Sequence, residues 1–127
     1  MTNSPTPYDE LADSFIAAMV AGDTDTIATL YADDAVIWHN FDQVEQSPAQ
    51  SLKLQRWFSR NVSGLRYDDI RRFAIEGGFV QQFVLRGTAP SGKALEAPGC
   101  MVVQVRDGKI QRLDEYLDSA QMAVLQA

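Results

Sequence analysis

The feature that most limits how this chain can fold is a change of hydrophobic period at Gly64. Ahead of it, apolar residues recur at helical spacing: Leu11, Phe15 and Met19 with Ile16 alongside, then Ile27, Leu30 and Tyr31, then Leu52, Leu54, Trp57, Phe58 and Val62. Such stripes bury one side of a helix. Beyond Gly64 the period falls to two, in runs rich in β-branched and aromatic residues. Turn signals separate those runs: Glu76-Gly77-Gly78, Pro90-Ser91-Gly92-Lys93 and Asp107-Gly108. The pattern predicts strands over about 65–75, 79–87, 94–106 and 109–117, joined as an antiparallel meander. Helices first and a hairpin-rich sheet second define an α+β architecture.

Punctuation residues refine the element order. Thr6 is placed to cap the first helix, with Pro7 in its first turn and Asp9 and Glu10 at its positive end. Gly22 is a natural stop, and Asp23 or Thr24 opens a short second helix that Asp33 and Asp34 end. Residues 35–41 (Ala35-Val36-Ile37-Trp38-His39-Asn40-Phe41) read as a strand. Ser47-Pro48-Ala49-Gln50 is a capping box with proline at the first helical position, and Gly64 closes that helix. Pro98-Gly99 interrupts the 94–106 run, so a bend is expected there. Asp118 or Ser119 starts a short closing helix. The 127 residues suit one domain, read here as 8–127 behind a loose tail at 1–7.

Composition excludes several function classes. Apolar residues make up 46% and charged residues 22%, a balance for a compact chain. With 17 acidic against 11 basic side chains the formal net charge is -6, which repels phosphate. Nucleic acid and anionic membrane are therefore not expected partners. The start lacks the features of a signal peptide, and no apolar run approaches the ~20 residues of a membrane helix, so a cytoplasmic location is expected. Cys100 is the single cysteine, which leaves no intramolecular disulfide and no cysteine metal cluster. One histidine among scattered carboxylates offers no metal spacing. No glycine-rich loop precedes a helix. Neither metal nor nucleotide nor any other cofactor is expected.

Two motifs carry a resemblance. Ala21-Gly22-Asp23 followed by Leu30-Tyr31-Ala32-Asp33-Asp34-Ala35-Val36 resembles the opening of ketosteroid isomerases and SnoaL-like proteins. Asp107-Gly108-Lys109-Ile110 followed by Glu115-Tyr116-Leu117-Asp118 is similar to the ending of SnoaL-like members. Element order matches from about residue 8 to 124. The resemblance, to the nuclear transport factor 2-like superfamily, implies a cone: a curved, antiparallel or mixed sheet wrapped around about three helices, as in cystatin-like α+β barrels. It also implies an apolar pocket at the open end and a homodimer through the outer sheet face. It does not imply one activity, since the superfamily holds isomerases, dehydratases, cyclases, epoxide hydrolases and pure binding domains.

Carried over position by position, the resemblance puts His39 where ketosteroid isomerases have their proton-shuttling aspartate. An imidazole suits that work, its ordinary pKa of ~6.5 lying near neutrality; the alternative is a rim or core histidine making one hydrogen bond. The oxyanion donors of that family fall at Phe15 and at Met101, neither of which can donate. Losing one such donor costs about 3 kcal/mol of transition-state stabilisation, so standard ketosteroid isomerisation is not expected. Limonene-type epoxide hydrolysis is not expected either, because Gln81-Gln82-Phe83-Val84 stands where its arginine would lie.

In the last strand Leu113, Glu115 and Leu117 share one face, which the resemblance turns toward the pocket. A carboxylate between leucines is costly to bury unless paired or used, which suits an acid or base. The alternatives are solvent at the sheet edge or a pair with Arg72 or Arg86. Arg71 and Arg72 otherwise read as a solvated face or a dimer contact. Expected pocket residues are Phe15, Met19, Trp57, Gln82, Met101, Leu113 and Leu117, with His39 and Glu115 as the catalytic pair. The expected function is a pocket for a small apolar molecule, either a cofactor-independent acid/base enzyme of isomerase, dehydratase or cyclase type, or a non-catalytic binding or scaffold domain.

Overall fold

The computed structural model describes residues 5–126; of the expected tail, residues 1–4 lie outside them. The elements run α1 (Asp9–Ala21), α2 (Thr24–Leu30), β1 (Tyr31–His39), β2 (Glu45–Gln46), α3 (Pro48–Asn61), β3 (Ser63–Ile75), β4 (Gly78–Thr88), β5 (Ala94–Arg106), β6 (Lys109–Leu117) and α4 (Ser119–Met122), with a final 3-10 turn at Ala123–Gln126. Among the described residues no helix is long and apolar enough to cross a membrane.

The helix ends follow local chemistry. Gly22 closes α1 at φ 68°, a left-handed geometry that costs glycine little. Asp23 accepts the Thr26 N–H to start α2. Ser47 and Gln50 complete the capping box of α3. The N-terminus of α1 differs from the expected Thr6 cap. Tyr8 occupies the cap position without a side-chain bond. The tie runs backwards: Asp9 accepts from the Thr6 N–H at 3.0 Å and from its hydroxyl at 2.8 Å. Those two bonds, and then Arg72, hold the Asp9 carboxyl below its usual pKa.

The sheet order is β2-β1-β6-β5-β4-β3. The meander from β3 to β6 is antiparallel throughout, while β1 lies parallel to β6. The result is a mixed α+β sheet that does not close, so the expected barrel is an open, curled sheet. Its curl is strong enough that Ile37 and His39 of β1 share a cavity with Leu65 and Tyr67 of β3, at the far side of the sheet. The core between sheet and helices is built from Phe15, Ile27, Ile37, Phe79, Met101, Val103 and Ile110, among others.

Three local departures matter. Strand β1 begins at Tyr31, four residues ahead of the expected start; Tyr31, Ala35, Ile37 and His39 are all buried, as two-residue alternation requires, and the register with β6 shifts between Tyr31 and Val36. Strand β3 carries a second break between Asp68 and Arg71, where Asp69 adopts φ 55°. A bulge shifts the alternation by one residue, and the consequence is plain: Phe73 is exposed and Arg72 is buried. Arg72 is thus no solvated face. Its guanidinium donates to Gln81 at 2.8 Å, Asp9 at 3.1 Å and Asp13 at 2.9 Å, tying α1 to the sheet. At Pro98 the ladder with β4 runs through without a break. Pairing of β5 with β6 begins only at Gly99, so Pro98 sits where β5 becomes an edge and no bend is needed.

Gly78 marks the closest backbone approach. A Cβ there would lie 1.9 Å from the Val103 carbonyl oxygen, and neither strand can yield. Gly78→Ala should cost about 3 kcal/mol, read as a lowered urea midpoint at unchanged slope.

Candidate functional site

The parallel pairing of β1 with β6 sets His39 opposite Glu115. Both side chains turn inward, and His39 Nε2 lies 3.3 Å from Glu115 Oε1 with about a tenth or less of each side chain exposed. On either side of Glu115, Leu113 and Leu117 face the same cavity. Phe15 and Met19 of α1 and Leu54, Gln55 and Phe58 of α3 form the opposite wall, and Leu65, Tyr67 and Leu85 close the side. The space is slim. The cavity measures ≈ 30 Å³.

Besides the His39–Glu115 pair, three polar side chains reach this apolar space. Tyr31 accepts from Gln55 Nε2 at 3.0 Å and approaches Ser51 Oγ at 3.4 Å. Burial raises its hydroxyl pKa, Ser51 and Gln55 oppose the rise, and the Glu115 charge adds to it. The Tyr67 hydroxyl is pushed well above the ordinary tyrosine value, first by burial and then by Glu115 and Tyr31. Both are therefore neutral donors at any physiological pH. Two buried atoms on the cavity residues, His39 Nδ1 and Gln55 Oε1, have no hydrogen-bond partner among the described residues. Buried polar atoms are rarely left so.

The loop after β1 holds the mouth. Asn40 copies a strand pairing with its side chain: its amide nitrogen donates to the Leu117 carbonyl at 3.0 Å and its oxygen accepts the Leu117 N–H at 2.8 Å. Phe41 then folds back and stacks on His39, ring centroids 5.0 Å apart and planes tilted by 28°. Arg112 anchors β2 at the sheet edge through Glu45 at 2.6 Å.

Of the residues expected here, His39, Glu115, Phe15, Met19, Leu113 and Leu117 line the one cavity. Trp57, Gln82 and Met101 do not line it. Trp57 stands on the neighbouring face of α3 from Leu54 and Phe58, half-exposed in an adjoining groove. Gln82 falls on the outer side of β4, where Arg71 donates to it. Met101 fills the core, its sulfur 3.6 Å from the Gln81 amide nitrogen. Arg72 and Arg86 are engaged elsewhere, Arg86 with Asp68, Asp69 and Glu96. Tyr31, Phe41, Gln55 and Tyr67 were not foreseen as site residues. Tyr67 was legible in principle, two residues from the apolar Leu65 on a period-two strand. Tyr31 was hidden by its assignment to a helix.

The chain belongs to the SnoaL-like domain family, whose model matches residues 12–113. No curated protein matches it. Among solved structures it is similar to a protein provisionally named a polyketide cyclase from Xanthomonas campestris pv. campestris, with a TM-score of 0.81, 20% identity and coverage of 94% of this chain and 96% of that one. It is similar to a nuclear-transport-factor-2-like protein of unknown function from Burkholderia pseudomallei K96243, at TM-score 0.82, 14% identity and coverage of 95% and 98%. A third likeness is to a hypothetical protein of ketosteroid isomerase-like fold from Catenulispora acidiphila DSM 44928, in complex with trimethylamine, at 0.78, 14%, 88% and 86%. At such identities these likenesses establish the fold alone.

Two outcomes follow from this geometry. The folded state holds the Tyr67 proton more tightly than the unfolded chain, so its stabilising effect is intact below pH ~10 and is lost as pH rises beyond it. Tyr67→Phe should therefore make stability fall less steeply between pH 9 and 11, read from urea unfolding across that range. Asn40→Ala should cost about 1–2 kcal/mol and speed amide exchange at Leu117 and through residues 40–44, with the rest of β6 unchanged.

Proposed function

We propose that this chain is a small-molecule pocket protein whose His39 and Glu115 move a proton on a largely apolar ligand without a cofactor. The observation that carries the reading is the dyad itself: a single histidine, buried in an apolar cavity, with one ring nitrogen against a buried carboxylate and the other without a partner. Glu115 at Nε2 favours the tautomer that is protonated there, which leaves the Nδ1 lone pair as the base. The neutral hydroxyls of Tyr67 and Tyr31 supply the donors that Phe15 and Met101 lack, and can meet negative charge developing on a substrate oxygen. Abstraction of a proton beside a carbonyl, dehydration and cyclisation all use these parts. The family model and the folds of the similar structures support a cyclase- or isomerase-like role.

His39→Ala and Glu115→Gln should each lower turnover of a substrate by about 10²–10⁴-fold while thermal unfolding stays cooperative; full turnover in both variants rules the reading out. The same pocket without chemistry is the alternative. It is favoured by the slimness of the cavity and by Phe41 lying over His39, and full ligand affinity with no turnover of any ligand would establish it.

We also read the outer sheet face as a homodimer contact, on the exposure of Phe73 there and of Tyr116, whose ring meets Trp38 edge-on at 5.2 Å. Sedimentation should give twice the chain mass, and Tyr116→Asp should halve it.

A further inference from the structure

The cavity beside His39 does not stand alone. An open apolar groove runs between α3 and the C-terminal segment, and it shares Phe41, Leu54 and Phe58 with the cavity as a common wall. Its remaining sides include Trp57, Met122 and Leu125, and among the described residues none that lines it is charged. The groove is open to solvent and measures ≈ 540 Å³, against ≈ 30 Å³ for the cavity. The two spaces are thus unequal and adjacent, and the half-exposed Phe41 ring, stacked on His39, belongs to both linings.

From this we propose that the ligand is bipartite: a compact polar end enters the cavity, and a larger uncharged apolar body, chain or ring, lies in the groove over Trp57. The proposal rests on the reading of the cavity as a ligand site and goes beyond it to the ligand's shape. The volumes decide the matter. The cavity accepts only a few atoms without rearrangement, so an apolar ligand large enough to bind by burial must extend past Phe41. The groove is where it emerges. A lining without charge among the described residues fits an uncharged body, because an ionised group there would lose hydration without a partner. Exposed aromatic and aliphatic side chains also supply what such a body gains by leaving water.

The test is a homologous series of 2-alkanones from 2-butanone to 2-undecanone, titrated against the ring-proton NMR signal of His39, the only histidine in the chain. Affinity should rise about two- to fourfold per methylene across the series. Trp57→Glu and Leu125→Glu should flatten that rise and leave 2-butanone affinity unchanged. Thermal melts of both variants check that they are folded. A wild-type series that stops rising after its shortest members overturns the bipartite ligand and leaves the cavity reading intact, as does an unaltered rise in both variants. Absence of any shift from any member overturns the two together. A halved sedimentation mass in Trp57→Glu would show instead that a second copy of the chain covers the groove, which also overturns the proposal.

Discussion

The candidate site in this molecule hangs on the parallel pairing of β1 with β6. The meander from β3 to β6 forms between neighbours in sequence, joined by tight turns. The β1–β6 ladder joins strands that lie some seventy residues apart, and only this pairing sets His39 against Glu115. It also gives the open sheet its fifth and sixth strands, β1 and the β2 paired to it, and lets the curl bring β3 round to face β1. Asn40 extends the ladder by two side-chain bonds beyond the last residue of β1, so the mouth of the cavity is fixed by the same contact.

Two buried charges show how one physical cost is met in opposite ways. Arg72 is surrounded by acceptors, Asp9, Asp13 and Gln81, and serves to lock α1 on the sheet. A guanidinium so satisfied is structural. Among the described residues Glu115 makes one ion pair, with His39, and shares its cavity with leucines and neutral tyrosines. Burial raises the hydroxyl pKa of Tyr31 and Tyr67, and the Glu115 charge adds to the rise. A buried carboxylate with so few partners is the kind of group that marks a candidate site. The same contrast separates the outward Arg71, bonded to Gln82, from its inward neighbour.

Much of the fold was legible because its signals are local. The capping box at Ser47, the stop at Gly22, the turn at Asp107-Gly108 and the bounds of β5 and β6 all follow from residues adjacent in sequence. Faces were legible where alternation is unbroken, as for Leu113, Glu115 and Leu117. They were misread where a bulge changes the phase. Asp69 adopts a left-handed turn that no composition rule demands, and it alone sends Arg72 inward and Phe73 outward. Tyr31 fits a helix period by its spacing, but the short α2 ends one residue before it, and strand alternation then puts it on the same face as His39.

The sequence by itself determined the α+β class, the order of the elements, the family and the face of β6 that carries Glu115, because period, caps and turns act over a few residues. Tertiary structure alone decided which side chains meet. It turned Trp57 and Gln82 away from the cavity, sank Met101 into the core and brought in Tyr31, Gln55 and Tyr67 instead. The reason is geometric. A cavity under a curled sheet is assembled from strands at its two sides and from one face of each helix. The register and curl that select those faces arise from pairings and bulges between segments far apart in the chain.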